Sequence, residues 1–323
     1  MIKVGIIGGA GYTAGELIRL LVNHPQVELA WVQSSSNAGN LVTDVHEGLV
    51  GDTSLSFCEK PDLEAADVVF LCSGHGKSEA FWKENPAPEG LRIIDLAQDF
   101  RDEHDGYVYG LPEWQKEKIK GAVKVANPGC FATGIQLALL PLTGIVGGLG
   151  GEVNITAITG STGAGVKPGP TTHFSWRNNN ISTYKVFEHQ HLIEINRNLR
   201  LAAKPYAIDP AINFVPMRGD FARGIFVSAT VDSDMSAEAA VKLYRDWYKD
   251  AAFTFVSSKP VDLKEVVNTN KCLVYVEKHG GKLVISSVID NLLKGASGQA
   301  VQNMNLMFGF PENEGLKLKA SAF

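Results

Sequence analysis

Apolar and polar positions follow one rhythm in the first part of the chain and another in the second. Residues 2–7 (IKVGII) predict a short apolar strand that breaks at residues 8–11 (GGAG). A helix is predicted over 14–24, where Leu17, Leu20 and Leu21 repeat at helical spacing. Runs at 27–34 (VELAWVQS), 66–72 (ADVVFLC), 91–96 (LRIIDL) and 122–126 (AVKVA) continue the strand series. Past the glycine-rich link 144–151, strand-like runs stand at 153–158, 224–231 and 272–289, with a helix predicted at 237–249. The last run reads as a hairpin turning at His279-Gly280-Gly281. The pattern predicts an α/β fold: a Rossmann-type dinucleotide-binding domain plus an α+β domain on a mostly antiparallel sheet. Residues 291–305 (NLLKGASGQAVQNMN) predict a closing helix that returns to the first domain. The expected division is 1–128 with about 297–323 for the nucleotide domain, and about 129–296 for a catalytic, substrate-binding and dimerisation domain.

Strand, glycine turn and helix in that order make the context in which a pyrophosphate approaches a helix N-terminus. Gly8, Gly11, Tyr12, Thr13 and Ala14 are therefore candidate cofactor contacts. The second strand ends in Ser34, Ser35 and Ser36, where an NAD site places a carboxylate for the ribose. Hydroxyls admit a 2′-phosphate that a carboxylate repels, which favours NADP; an ordinary serine loop is the plain alternative. Ser73, Gly74 and His75 follow a strand at the end where α/β sheets bind ligands. Arg101 follows another such strand and is a candidate anion clamp, or else a surface salt-bridge partner.

Residues 127–133 (NPGCFAT) deliver Cys130 to the first turn of a buried helix, whose apolar run 134–140 ends at Pro141. Helix N-termini favour a thiolate, the reactive form of cysteine; the bland reading is a small core residue. A base is available in Glu188-His189-Gln190-His191. A His-x-His metal pair has no third ligand of suitable spacing, so no metal is expected. Gln299, Asn303 and Asn305 on the closing helix are amides able to fix a carboxamide, or helix-surface residues.

Length and composition narrow the class. The 323 residues carry a net charge of −5 without a basic block, which argues against nucleic acid. No segment reaches the ~20 apolar residues of a membrane span. Four widely spaced cysteines favour reduced thiols and a cytoplasmic setting.

Taken together, GGAGYTAGEL (8–17), DFR (99–101), NPGCFAT (127–133), TGSTGAG (159–165), HQHLIEI (189–195), RGIF (223–226) and KGASGQAVQNMN (294–305) resemble the N-acetyl-gamma-glutamyl-phosphate reductase family over nearly the whole length. The resemblance implies NADPH-dependent reductive dephosphorylation of an acyl phosphate, with phosphate released, by a homodimer or homotetramer. It implies Cys130 as nucleophile, and His189 and His191 as the acid/base region. Arg101, Asn127, Ser161, Gly163, Arg223 and Gln299 are the implied substrate contacts, and Asn303 a cofactor contact. Ile193 stands where the family has a helix-starting proline, so the segment before Glu194 is expected to be extended. His189 beside Glu188 is then the expected acid/base, its pKa raised by the carboxylate, and His191 a substrate or oxyanion contact. The polar insertion 163–181 bears Lys167, His173 and Arg177, cations that would suit a larger anionic acyl group such as succinyl; a solvent-exposed loop is the alternative. Competing readings are an aspartate-semialdehyde dehydrogenase-like enzyme and a non-catalytic NADP-binding sensor.

Overall fold

The computed structural model describes residues 1–204, 206 and 209–321. The chain forms two compact units: Met1–Gly129 with Ala296–Lys317, and Cys130–Gly295 with Leu318–Phe323.

In the first unit β1 (Ile2–Ile7), α1 (Tyr12–Leu21), β2 (Val27–Gln33), β3 (Phe57–Cys58), β4 (Val68–Leu71), α2 (Ser78–Glu84), β5 (Arg92–Asp95), β6 (Tyr107–Tyr109), α3 (Pro112–Lys120) and β7 (Lys124–Ala126) follow in chain order. The strands form one sheet ordered β3-β2-β1-β4-β5-β7-β6, every neighbouring pair parallel. All of β4 is buried, as a parallel strand covered on both faces requires. After β3 the chain returns across β1 to lay down β4, so β1 and β4 flank the switch point where such sheets bind ligands. Helix α1 starts at Tyr12, earlier than expected, and ends before His24, which bonds Asn305 instead.

The second unit contains α4 (Cys130–Thr143), β8 (Glu152–Thr159), α5 (Phe174–Arg177), β9 (Ser182–Thr183), α6 (His191–Ala202), β10 (Ala211–Arg218), β11 (Ile225–Asp232), α7 (Ala237–Tyr248), β12 (Thr254–Val256), β13 (Cys272–His279) and β14 (Lys282–Ile289). Its sheet is ordered β12-β13-β14-β11-β8-β10-β9. The pairs β8–β10 and β12–β13 are parallel and the others antiparallel, in line with the expected mostly antiparallel sheet. The β13–β14 hairpin turns at Gly280-Gly281, with Gly280 at φ +54°. Helix α4 is buried from Phe131 to Thr143 and packs on β11, β14 and α6.

Three expectations are corrected here. Helix α4 runs through Pro141 to Thr143 instead of stopping at the proline. Proline cannot donate to the carbonyl four residues back, that of Leu137; the Tyr248 hydroxyl donates to it at 2.6 Å instead. Strand β10 went unread because Pro216 interrupts its pattern. The proline is tolerated because β9 pairs with β10 only through Met217 and Arg218. Helix α6 begins at His191, so the segment expected to be extended is helical.

Helix α8 (Ser297–Phe308) completes the first unit, buried from Ser297 to Met307 and packed on α1 and α3. Among the described residues no helix is long and apolar enough to cross a membrane, and no three His, Cys, Asp or Glu side chains are placed to hold a metal ion.

Candidate active site

The turn after β1 is shaped by what a side chain would strike. Gly8 has φ +76°, and a Cβ there would fall 2.7 Å from the Ser73 backbone. A Cβ on Gly11 would meet nothing within 4 Å, so the N-terminus of α1 faces open space. No acidic side chain lies in its first turn, and Gly11 makes no side-chain cap. Backbone N–H groups at such an end suit an anion. Tyr12 is exposed and Ala14 buried, while the Thr13 carbonyl accepts from Ser297 Oγ at 2.7 Å. His46 Nε2 bonds the Gly9 carbonyl at 2.7 Å and backs the turn from below Gly15.

Beyond β2, Asn37 Nδ2 donates to the hydroxyls of Ser34 (3.3 Å) and Ser36 (3.0 Å), and Gln33 Nε2 donates to Ser35 Oγ at 3.0 Å. The three serines thus form a neutral hydroxyl cluster. Beyond β4, Ser73 Oγ is buried without a hydrogen-bond partner and Gly74 adopts φ +89°. His75 Nδ1 accepts from Gln98 N–H at 3.2 Å, tying this loop to the one after β5. Asp99, next to the expected clamp Arg101, accepts from Gly76 N–H at 2.7 Å and Ser78 N–H at 2.9 Å, fixing the start of α2.

Arg101 is buried, its Nε donating to the Asn127 carbonyl at 2.9 Å and its Nη2 to the Leu96 carbonyl at 3.2 Å. Asn127 is itself a hub: its Nδ2 donates to the Ala296 carbonyl (3.0 Å), and its Oδ1 accepts from Asn303 Nδ2 (3.0 Å). Asn303 Nδ2 also reaches the Gly110 carbonyl at 2.9 Å. These groups, expected to meet ligands, fasten the segment before Cys130 to α8 within the first unit.

In the second unit Cys130 is the first residue of α4 and half-buried. The next residue, Phe131, sets its ring 5.4 Å from that of His189 and 6.3 Å from that of His191. The two imidazoles lie 4.6 Å apart, centroid to centroid. Phe214 and Tyr184 stand 5.6 and 5.7 Å from His189 and close the aromatic surround. His189 Nδ1 accepts the His191 backbone N–H at 3.2 Å, so the neutral ring carries its hydrogen on Nε2. Burial depresses the His189 pKa to about 4, and the positive charges of Lys185 and Arg218 push the same way. This reverses the expectation that Glu188 raises it: Glu188 is exposed, and the charged groups acting on the ring are cations.

Tyr184 and Arg218, which sequence reasoning missed, belong to the same neighbourhood. Arg218 Cζ lies 4.6 Å from the Tyr184 ring centroid. Burial raises the Tyr184 pKa, the charge of Cys130 adding to it and Arg218 opposing. Tyr184 lies on the stretch joining β9 to the histidines, while Arg218 ends the unread strand β10; no local pattern links the two.

Ser161 and Gly163 sit in the turn after β8, which hangs on the 221–222 backbone: Ser161 N–H donates to the Phe221 carbonyl at 2.8 Å. Arg223 is committed to the fully buried Asp290, with Nε and Nη2 at 3.0 and 3.1 Å from its two oxygens. Gln299 is fully buried on α8. In the polar insertion, Arg177 is buried and bonds the carbonyls of Thr171, Asn180 and Arg218 and the Ser182 hydroxyl. His173 Nδ1 caps α5 through Ser175 N–H. The insertion therefore spends Arg177 and His173 on its own folding, which weakens the case for a larger anionic acyl group.

Comparison with known proteins gives a consistent picture. Residues 3–122 match the family model "Semialdehyde dehydrogenase, NAD binding domain", and residues 130–291 match "Semialdehyde dehydrogenase, dimerisation domain". The chain is 57% identical to the N-acetyl-gamma-glutamyl-phosphate reductase of Bacteroides thetaiotaomicron and 51% identical to that of Flavobacterium johnsoniae, each over the full length of both proteins. Among solved structures it is similar to aspartate semialdehyde dehydrogenase II of Vibrio cholerae, with TM-score 0.74 and 17% identity over 96% of this chain and 98% of that one. The aspartate semialdehyde dehydrogenase of Candida albicans, determined with NADP, gives TM-score 0.73 at 14% identity, covering 97% of this chain and 99% of that one. At those identities the two structures bear on the fold alone.

Proposed function

This chain belongs to the N-acetyl-gamma-glutamyl-phosphate reductase family, and from that premise we propose how its own residues carry the reaction. The activity is NADPH-dependent reductive dephosphorylation of N-acetyl-gamma-glutamyl phosphate to the 5-semialdehyde, a step of arginine biosynthesis. The observation that carries the residue-level reading is Cys130 at the first position of buried α4, beside the ring pair His189–His191.

The cofactor fits the first unit. Gly8 and Gly11 leave the start of α1 open for a pyrophosphate, and the Ser34–Ser36 hydroxyls admit a 2′-phosphate without repulsion. When bound, NADPH supplies the hydride that brings the acyl carbon to the aldehyde level. The rest is done by protein groups. The Cys130 thiolate attacks the acyl carbon, the C–O bond to phosphate breaks, and a thioester remains on the sulfur. Backbone N–H groups at the start of α4 face the oxyanion that forms there. A thioester is a better electrophile than an oxygen ester, which is the chemical reason for cysteine at this position.

His189 is neutral through the working range and has its Nδ1 occupied, so it serves as a fixed Nε2–H donor to the oxyanion. His191 is then the group that gives and takes the proton as the tetrahedral adduct collapses to semialdehyde and thiolate. Comparing His189→Asn with His191→Asn across pH tests this assignment. The His191 variant is expected to lose 10²–10⁴-fold in kcat and to flatten the pH–rate profile, while the His189 variant keeps its pH dependence. A His189→Asn enzyme with a flat profile beside a His191→Asn enzyme with a normal one would reverse the two roles.

The second unit matches a dimerisation domain, so the chain works as an oligomer. We read it as a homodimer at least. Support comes from one stretch of that unit, where Val166, Phe174, Trp176, Ile181, Phe187 and Ile193 are all exposed. All four cysteines are thiols, in keeping with a cytoplasmic setting.

A further inference from the structure

Resting on the reading above, we propose that Arg218 is the specificity residue that holds the α-carboxylate of the substrate. Arg218 carries a charge without a counter-charge among the described residues. Arg218 is the last residue of β10, partly buried, and its Nε is buried with no hydrogen-bond partner. Among the described residues no carboxylate is paired with it. Its neighbours are cationic or neutral. Arg177 Nη1 donates to its backbone carbonyl, at 2.5 Å. Lys185 and Arg218 together act on His189. The acidic group of this region, Asp220, accepts the Asn179 N–H at 2.6 Å. Holding a half-buried guanidinium beside other cations costs free energy unless an anion completes it.

The rest of the environment says what kind of anion. The Tyr184 ring, 4.6 Å away, covers one face of the guanidinium, and the Tyr184 hydroxyl takes a bond from Arg218, which leaves the remaining N–H groups of the edge for recognition. That edge matches a planar two-oxygen group bidentately. The charge of Cys130 reaches Tyr184 and that of Arg218 reaches His189, so the guanidinium shares the surroundings of the nucleophile and the imidazole donor. A substrate bonded to Cys130 has two anionic groups, the phosphate that leaves and the carboxylate that stays. Arg218 is assigned to the one that stays.

The test runs the full-length enzyme in the aldehyde-oxidising direction, where semialdehyde and phosphate are varied separately. Arg218→Met is expected to raise KM for N-acetyl-glutamate 5-semialdehyde at least about tenfold and to leave KM for phosphate unchanged; Arg218→Lys falls between. With 4-acetamidobutanal, the same aldehyde without its carboxylate, wild type and Arg218→Met should have equal kcat/KM. A rise in phosphate KM alone would move Arg218 to the phosphate, and an equal loss on both aldehydes would make it a support for Tyr184; either overturns the proposal. Should Arg218→Met fail to fold, Arg218→Lys read against the two aldehydes decides by the same criterion. A wild type without phosphate-dependent NADP reduction defeats the functional reading instead. Calorimetric binding of the semialdehyde then decides Arg218 by itself: equal affinity for wild type and variant overturns it, and loss in the variant upholds it.

Discussion

Among the buried groups whose titration is shifted, His189 and Asp95 make stability respond to pH in opposite directions. His189 stays neutral until about pH 4, whereas in the unfolded chain it takes up its proton near 6.5. Its contribution is therefore present above pH 6.5 and lost as pH falls from there towards 4. Asp95 is the converse case. Burial pushes its carboxyl up to about 6, against the bonds it accepts from Ser78 Oγ and Ala97 N–H. The unfolded chain ionises it near 3.8, so stability is lost as pH rises from 3.8 to 6. Asp95→Asn removes that loss, so its stability relative to wild type should improve from pH 4 to pH 7 by on the order of 3 kcal/mol, read from urea midpoints. A difference that does not change with pH would sink the account. At the chemical centre, Cys130→Ser should abolish turnover while NADPH still binds, because a hydroxyl has no comparable anion population at pH 7; substantial remaining reductase activity would rule out the thioester route. Ser34→Asp should weaken NADPH binding by about tenfold or more through charge repulsion, and an unchanged KM for NADPH would remove the serine cluster from the 2′-phosphate. The place of Cys130 at the start of α4 was legible from sequence because its turn and its helix are contiguous. The His189 shift was not, since it comes first from burial among Phe131, Tyr184 and Phe214, which only the folded chain brings together, while the adjacent Glu188 points the inference the wrong way.

At the scale of elements, the missed end of α4 was settled by a distant partner. Helix α4 crosses Pro141 because the Tyr248 hydroxyl on α7 bonds the Leu137 carbonyl, and Tyr244 does the same for Ala138 at 2.6 Å. Nothing within 134–141 signals those bonds. Tyr248→Phe should cost roughly 1–3 kcal/mol, the penalty of a buried carbonyl left without a donor, measured by chemical denaturation. A loss no larger than that of a Tyr275→Phe control, half-buried on β13, would show that the helix end does not depend on the bond. The start of α6 was hidden for a different, local reason. The side chain that accepts its first free N–H belongs to His189, and histidine is not among the residues that mark an N-cap. By contrast, the β13–β14 hairpin and the capped helix α7 were legible. Gly280-Gly281 supplies the turn, and Ser236 Oγ accepts the Ala239 N–H at 3.2 Å. In both elements the deciding groups lie within a few residues of each other.

For the whole molecule, the strongest remaining physical signal is apolar surface gathered in one stretch of the second unit. Phe174 and Ile193 are each 76% exposed and Phe187 57%. The short helix α5 that presents Phe174 is held from beneath by the buried Arg177 and its bonds to surrounding carbonyls. An ordered segment that turns large apolar side chains outward carries a standing cost in water, and covering it removes that cost. In a unit that matches a dimerisation domain, a second copy of the chain is the occupant this argument selects. Phe174→Glu combined with Phe187→Glu should therefore shift the protein towards monomer in sedimentation velocity, with the far-UV spectrum preserved. Because Phe187 is two residues from His189, activity should fall along with assembly, and both should recover as protein concentration is raised. Wild-type assembly with full activity in the double variant would place the contact between copies elsewhere.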